Sequence, residues 1–255
     1  MSEIDFSGFD ALTFDCYGTL IDWERGILNA LQPVLAPQAI EAEEDELLER
    51  YAKHEAALEV GEYVSYREIL ARSLRGLCAD FGFTPSEQDV AEFSESVGVW
   101  PAFPDSAAAL RRLAERFKLG VITNCDDDLF ARSNKRLGVT FDWIVSAQTA
   151  RSYKPNLNNF EVAFDMIEVS RERILHVAQS LYHDHVPAKQ LGLSTVWVNR
   201  RHDKSGFGAT PEAKATPDMT VPDMRTLADL WGTVWAREQD AGNVVPLKRG
   251  SDPDR

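Results

Sequence analysis

The sequence predicts an α/β protein: a doubly wound parallel sheet with an all-helical segment inserted after the first strand. Three observations predict it. From Trp100 onward, short apolar runs alternate with stretches of helical periodicity, the pattern of a parallel sheet covered on both faces. One earlier apolar run, Ala11-Leu12-Thr13-Phe14, closes on Asp15-Cys16-Tyr17-Gly18-Thr19 as a strand entering a loop. Between that loop and Trp100 only helical periodicity is found.

The first strand delivers one carboxylate, Asp15, at the point where the run ends. Gly18 lets the backbone turn, and Thr19 can bond back to fix the turn. Taken alone, Asp15 reads equally as a loop-capping residue.

In the inserted segment, Ile27, Leu28, Leu31, Val34 and Leu35 fall at helical spacing, and Pro37 marks an end. A second helix, rich in Glu, Leu and Ala, runs from Glu44 to Val60 and closes at Gly61. A third spans Ser65 to Phe81. Thr84-Pro85-Ser86-Glu87 reads as the start of a fourth, before Val90, Phe93 and Val97.

The alternating half then gives a helix from Asp105 to Arg116, a strand at Leu119–Ile122 ending in Thr123-Asn124, and a helix from Asp127 to Leu137 closed by Gly138. Trp143–Ser146 is a strand followed by a loop with Tyr153-Lys154-Pro155, then a helix from Asn159 to Ile167. Ile174–Ala178 is a strand leading through Ser180 and Asp184 into a helix that ends near Gly192. Strands at Thr195–Val198 and Met219–Val221 precede a helix from Met224 to Trp235. The implied division is a discontinuous core of residues 1–20 and 100–238, a helical cap of 21–99, and a flexible polar tail of 239–255 with no core to join.

Composition narrows the function. With 255 residues, 44% of them hydrophobic, the chain can build a large core without covalent staples. A formal net charge of −14 repels phosphate backbones and anionic lipid, which excludes nucleic-acid or membrane-surface binding as the main role. A small anionic substrate then needs a locally positive pocket. Cys16, Cys78 and Cys125 are odd in number and lack metal-ligand spacing, which suits a reducing cytoplasm. Neither a signal peptide nor a membrane span is expected.

Asp15, Thr123-Asn124, Lys154, and Ser180 with Asp184 each lie at or just past the end of a predicted strand. Parallel strands bring those ends to one edge of the sheet, where ligands bind in open α/β folds. Asp15-Cys16-Tyr17-Gly18-Thr19, then Thr123, then Lys154-Pro155, then Asp184, in this order, resembles the haloacid dehalogenase superfamily over nearly the whole chain. The resemblance implies a Rossmann-like core with a helical cap. Phosphatases of that superfamily usually carry a second Asp two residues after the nucleophile; this chain has Tyr17, as in the Asp-x-Tyr-Gly-Thr of type II 2-haloacid dehalogenases. A halide leaves as a stable anion and needs no proton, so the second acid is dispensable.

The resemblance implies that Asp15 attacks the halogen-bearing carbon and that water hydrolyses the resulting ester. Lys154 would keep Asp15 charged, and Asp184 would position or deprotonate the water, with Ser180 holding Asp184. Thr19, Thr123 and Asn124 would orient Asp15 and the substrate carboxylate, and Tyr17 would contact substrate. Plainer roles stand beside these: helix capping for Thr123 and Asn124, packing for Tyr17, and solvated helix faces for Lys53, Lys135 and Arg136. His183-Asp184-His185 has ligand types, but adjacent residues do not converge on a metal.

The chain departs from the type II pattern in three places. No Asn aligns in Ala178–Asp184, which reads one residue longer. Phe160 stands where a Tyr is usual, and the cap Arg has only Arg50 as a neighbourhood counterpart. The expected activity is hydrolysis of short 2-haloacids without a cofactor. The alternatives are a hydrolase of another carbon–heteroatom bond such as a strained cyclic amino acid, a Mg²⁺-dependent phosphatase with Asp15 and Asp184 on the metal, and a non-catalytic binding protein. Trp100 and Phe103, read as exposed, could line a pocket, join cap to core or face a second subunit, which leaves a homodimer open.

Overall fold

Six short apolar runs become strands, and all of them pair in parallel. They are β1 (Ala11–Phe14), β2 (Lys118–Thr123), β3 (Trp143–Ser146), β4 (Ile174–Ala178), β5 (Ser194–Val198) and β6 (Met219–Val221), in the order β3-β2-β1-β4-β5-β6. This computed structural model describes residues 4–240. The strand order reverses between β1 and β4, which opens a crevice at their carboxyl ends.

Between β1 and β2 lie α1 (Trp23–Leu35), α2 (Glu44–Glu59), α3 (Tyr66–Asp80) and α4 (Glu87–Glu95). Their starts are chemically marked. The side chains of Asp22 and Ser65 accept from Arg25 N and Glu68 N, and Ser86 forms a reciprocal capping box with Asp89. α2 has no side-chain cap but begins Glu44-Asp45-Glu46, which suits the positive end of the helix dipole.

The remaining helices are α5 (Ser106–Leu113), α6 (Asp127–Leu137), α7 (Ala147–Ala150), α8 (Asn158–Met166), α9 (Val186–Gln190) and α10 (Met224–Asp240). β1 is buried throughout, so its side chains divide by alternation. Leu12 and Phe14 enter a large core with α5, α6, α10 and the inserted helices, while Ala11 joins a smaller one with Phe160, Ala163 and Ala188 of α8 and α9.

The inserted helices are tied to the sheet edge. Asp126, after β2, accepts from Tyr66 N at 2.9 Å and Arg67 N at 3.1 Å, so it caps α3 and makes no capping bond to its own helix. Tyr153 donates to Val64 O at 2.8 Å. Trp100 is buried, 1% exposed, with its ring edge-on to Tyr17; it therefore joins the insertion to the core and is not a surface residue. Gly26 is required beneath it, because a Cβ there would stand 2.2 Å from Trp100 Cγ.

α7 lies where the sequence predicts a loop, and α10 runs past the predicted end at Trp235 to Asp240. Residues 241–255 of the expected tail lie outside the described residues. Among the described residues no helix is long and apolar enough to cross a membrane, and the three cysteines are free and buried.

Candidate active site

Asp15 follows β1 and is 6% exposed. Thr19 Oγ1 donates to Asp15 Oδ2 at 2.6 Å, and Gln179 N donates to Thr19 Oγ1 at 2.9 Å, so the turn after β1 is fastened to the loop after β4. Gly18 has φ +94°, and a Cβ there would come within 3.0 Å of Trp23 Nε1. A guanidinium braces the same turn from outside. Arg200 Nη2 and Nε donate to Thr19 O at 2.9 and 3.1 Å, and Nη1 reaches both Asp105 oxygens at 2.9 and 3.0 Å.

Lys154, after β3, is 1% exposed and uses all three ammonium donors. Nζ lies 2.9 Å from Asp15 Oδ1, 2.7 Å from Asp184 Oδ1 and 2.8 Å from Ile122 O. Behind Asp184 stands His176, in register with Thr13 across the β1–β4 pair. Its Nε2 is 3.1 Å from Asp184 Oδ1 and its Nδ1 is 2.9 Å from Thr13 Oγ1. With Asp184 ionised, Nε2 donates to it, while Nδ1 pairs with the Thr13 hydroxyl. Phe160 packs edge-on against this imidazole at 5.2 Å, so it supports the relay from behind.

The two carboxylates titrate differently. Burial raises the Asp15 pKa; Lys154 opposes that, the Asp184 charge adds to it, and the net shift is upward. The expectation that Lys154 keeps Asp15 charged holds as a direction of force, but burial is the larger effect. Burial acts against charge at Asp184 too, yet Lys154 and the His176 N–H outweigh it and hold that carboxyl well below the ordinary range. The same carboxylates, against burial, hold the Lys154 ammonium above the usual lysine range.

These groups open onto a small cavity of about 30 Å³, room for a few waters. Asp15, Tyr17, Lys154, Asp184, Asn124 and Ser180 face it from the sheet edge. Trp23, Glu55, Glu59 and Tyr66 face it from the inserted helices, and His183 from the loop after β4. Asp184 Oδ2 is buried without a hydrogen-bond partner among the described residues.

Of the residues expected to bind substrate, Asn124 and Ser180 line the cavity, but each is also structural. Asn124 Nδ2 donates to Lys154 O at 3.0 Å and to Glu59 Oε1 at 3.2 Å, while its Oδ1 accepts from Lys154 N. Ser180 Oγ accepts from His183 N at 2.9 Å, capping the turn that carries Asp184. That turn, Leu181–His185, is a single π turn, in which a loop one residue longer than an α turn is absorbed. Tyr17 lines the cavity, but its hydroxyl is 3.1 Å from Ser133 Oγ and its ring packs edge-on against Trp100. Thr19 reaches Asp15 and does not line the cavity. Thr123 is fully buried with its hydroxyl unpartnered among the described residues and likewise does not line the cavity.

Arg50 is not in the cavity either. It pairs with Glu46 at 2.8 Å and lies over Phe81, on the outside of α2. The inner face of α2 instead carries Leu48, Tyr51, Ala52, Glu55 and Glu59 at helical spacing. Glu55 and Glu59 sit on a stripe otherwise apolar, and that is the signal the sequence offers. Likewise His176 and Thr13 interrupt apolar strands, opposite one another.

The phosphatase alternative would place a magnesium ion on Asp15, Asp184 and a backbone carbonyl. Lys154 bonds Oδ1 of both carboxylates and Thr19 bonds Asp15 Oδ2, so Asp184 Oδ2 is the one of their four oxygens without a protein donor among the described residues. His185 Nε2 turns away to Ala178 O, and among the described residues no His, Cys, Asp and Glu group is arranged to hold a metal.

A model of the haloacid dehalogenase-like hydrolase family matches residues 9–192. The haloacetate dehalogenase H-2 of Moraxella sp. (strain B) is 29% identical over 227 residues, spanning 87% of this chain and 97% of the relative. The (S)-2-haloacid dehalogenase H-109 of Pseudomonas putida is 26% identical over 231 residues, 86% of this chain and 96% of its own. Among solved structures, the L-2-haloacid dehalogenase of Xanthobacter autotrophicus with chloropropionic acid covalently bound superposes with a TM-score of 0.73 at 20% identity, covering 88% of this chain and 98% of that one, a likeness of fold.

Proposed function

The chain belongs to the haloacid dehalogenase-like hydrolases, and from that premise we propose that it hydrolyses the carbon–halogen bond of a short 2-haloacid through an ester on Asp15. The observation that carries this reading is one buried carboxylate, held by Thr19 and Lys154 at a cavity edge, with no second acid two residues on. The dehalogenase relatives, similar over most of their length, support it.

In the first step an oxygen of Asp15 bonds to C2 and the halide departs with the electron pair, so no proton donor is needed. Thr19 and Lys154 fix the carboxylate against rotation, which favours a single attack direction. In the second step water adds to the ester carbonyl and the C2–oxygen group leaves from the carbonyl carbon. One proton of the water goes to the departing oxygen, giving the hydroxy acid, and the other to solvent, so Asp15 returns as a carboxylate. Asp184 Oδ2 is the free acceptor for that water. Because Asp184 is a weak base, its role is to orient the water and to favour the developing positive charge. Lys154 offsets negative charge on the carbonyl oxygen in this step.

In this reading residues 21–99 act as a cap over a core of residues 1–20 and 100–238, and no cofactor takes part. The buried free thiols suit a cytoplasmic setting. Halide release from 2-chloropropionate by the wild type, and its loss in Asp15→Ala with the fold intact, tests the proposal; phosphate release from phosphate monoesters in its place would replace it.

A further inference from the structure

The reaction proposed above starts from an anion, yet the cavity offers that anion little positive charge. Lys154 is its one lysine or arginine among the described residues, and the three donors of Lys154 are already taken by Asp15, Asp184 and Ile122 O. Against it stand four carboxyl groups: Asp15, Asp184, Glu55 and Glu59. His183 is the other group able to carry positive charge, and its Nε2 lies 3.5 Å from Glu59 Oε2. A simple haloacid would therefore add negative charge to a site that already carries an excess.

Two of those carboxyl groups have no part in the two-step chemistry. Glu55 and Glu59 lie one helical turn apart on the inner face of α2. Glu55 is 3% exposed, and its Oε1 accepts from Tyr51 and Tyr66 hydroxyls at 2.8 Å each. Its Oε2 accepts nothing from the described residues. The Glu59 side chain is 6% exposed and touches Asn124 Nδ2 through Oε1. Burying two acids side by side on an otherwise apolar helix face costs desolvation and mutual repulsion. A second acceptor without a donor among the described residues, Asp184 Oδ2, is fully buried in the same cavity.

We propose that Glu55 and Glu59 form a recognition site for an ammonium group, so that the substrate is a short haloacid that also bears an amine, such as a 2-halo-3-aminopropanoate. The substrate-class part of this inference rests on the haloacid reading; the ammonium site rests on the cavity alone. A primary ammonium has three donors and matches two carboxylates one turn apart. It also balances the charge that the substrate carboxylate brings in. Its arrival stabilises ionised Glu55, whose surroundings are otherwise Tyr51, Tyr66, Glu59 and His183, and so binding near neutral pH releases a proton.

The two hydroxy-acid products separate the readings. Titration calorimetry of the full chain with 3-amino-2-hydroxypropanoate and with lactate is expected to give at least about tenfold tighter binding of the amine-bearing acid, the scale of a charge-assisted hydrogen bond. Its heat should depend on the buffer at pH 7, through the released proton. Glu59→Gln and Glu55→Gln should each erode the preference while leaving lactate binding unchanged or tighter. Equal binding of the two acids, or a preference that survives both substitutions, overturns the ammonium site. Asp15-dependent halide release from 2-chloropropionate combined with equal binding keeps the haloacid reading and removes this one. Amine preference with no halide release from either haloacid keeps the ammonium site and removes the haloacid reading.

Discussion

Lys154 Nζ stands 2.9 Å from Asp15 Oδ1, with both side chains sealed from solvent. The same ammonium bonds Asp184, so one side chain from the segment after β3 joins the carboxylate just past β1 to the one in the turn after β4. That contact opposes the effect of burial on the candidate nucleophile and fixes the spacing of the site.

Replacing Lys154 by Met leaves two buried carboxylates facing each other. We expect a loss of about 3–5 kcal/mol at pH 8, the usual cost of breaking a buried pair. Without the ammonium both carboxyl pKa values rise, and a raised carboxyl pKa gives stability that is present at low pH and lost as pH increases. The variant should therefore recover stability relative to wild type as pH falls toward 5, read by urea unfolding at several pH values.

Glu55 gives a pH signature of its own. Burial, with the Glu59 charge, pushes its pKa up from 4.5 to about 7. Its contribution is complete below about pH 4.5 and is lost as pH rises through about 7. Glu55→Gln should accordingly be more stable than wild type at pH 8, by on the order of 1–3 kcal/mol, with the difference closing near pH 5. A constant difference across that range would contradict the shift.

Arg200 acts on the site through Thr19. Arg200→Met leaves Asp105 without its cation, held only by Met224 N and Arg225 N, and frees the Thr19 carbonyl, so about 3 kcal/mol of stability should go. The catalytic constant should fall more than substrate affinity, because the Asp15 turn loosens while the cavity lining stays.

Tyr17→Phe should be mild. The hydroxyl bonds Ser133 and not the cavity, so a stability cost of about 1 kcal/mol and turnover within about fivefold of wild type are expected. A loss of several hundredfold would instead give the hydroxyl a chemical role.

Exhaustive chelation should leave halide release unchanged, since the proposed chemistry runs from Asp15, Lys154 and Asp184 and routes no step through a metal. Loss of activity restored by Mg²⁺ would contradict that.

Much of this molecule is legible in the chain. Each strand run and its closing residue can be read from alternation and length, and parallel pairing then forces Asp15, Asn124, Lys154, Ser180 and Asp184 to one edge. What the sequence hides is where side chains point once they arrive. Thr123 ends its strand facing inward, and Tyr17 turns its hydroxyl to Ser133. Asp126 caps a helix some 60 residues earlier in the chain and not its own. The inserted helices were the harder half, since helical spacing states which face is buried but not against what. Glu55 and Glu59 looked like ordinary members of a Glu-rich helix until the fold turned them toward Asp15's cavity.

The most direct test is a single turnover of excess enzyme with 2-chloropropionate, and with its 3-amino counterpart, in heavy-oxygen water, followed by peptide mass analysis. Covalent catalysis predicts that the label enters the Asp15 carboxylate and that the first hydroxy acid released is unlabelled. Label found only in the hydroxy acid, with Asp15 unchanged, would contradict the account.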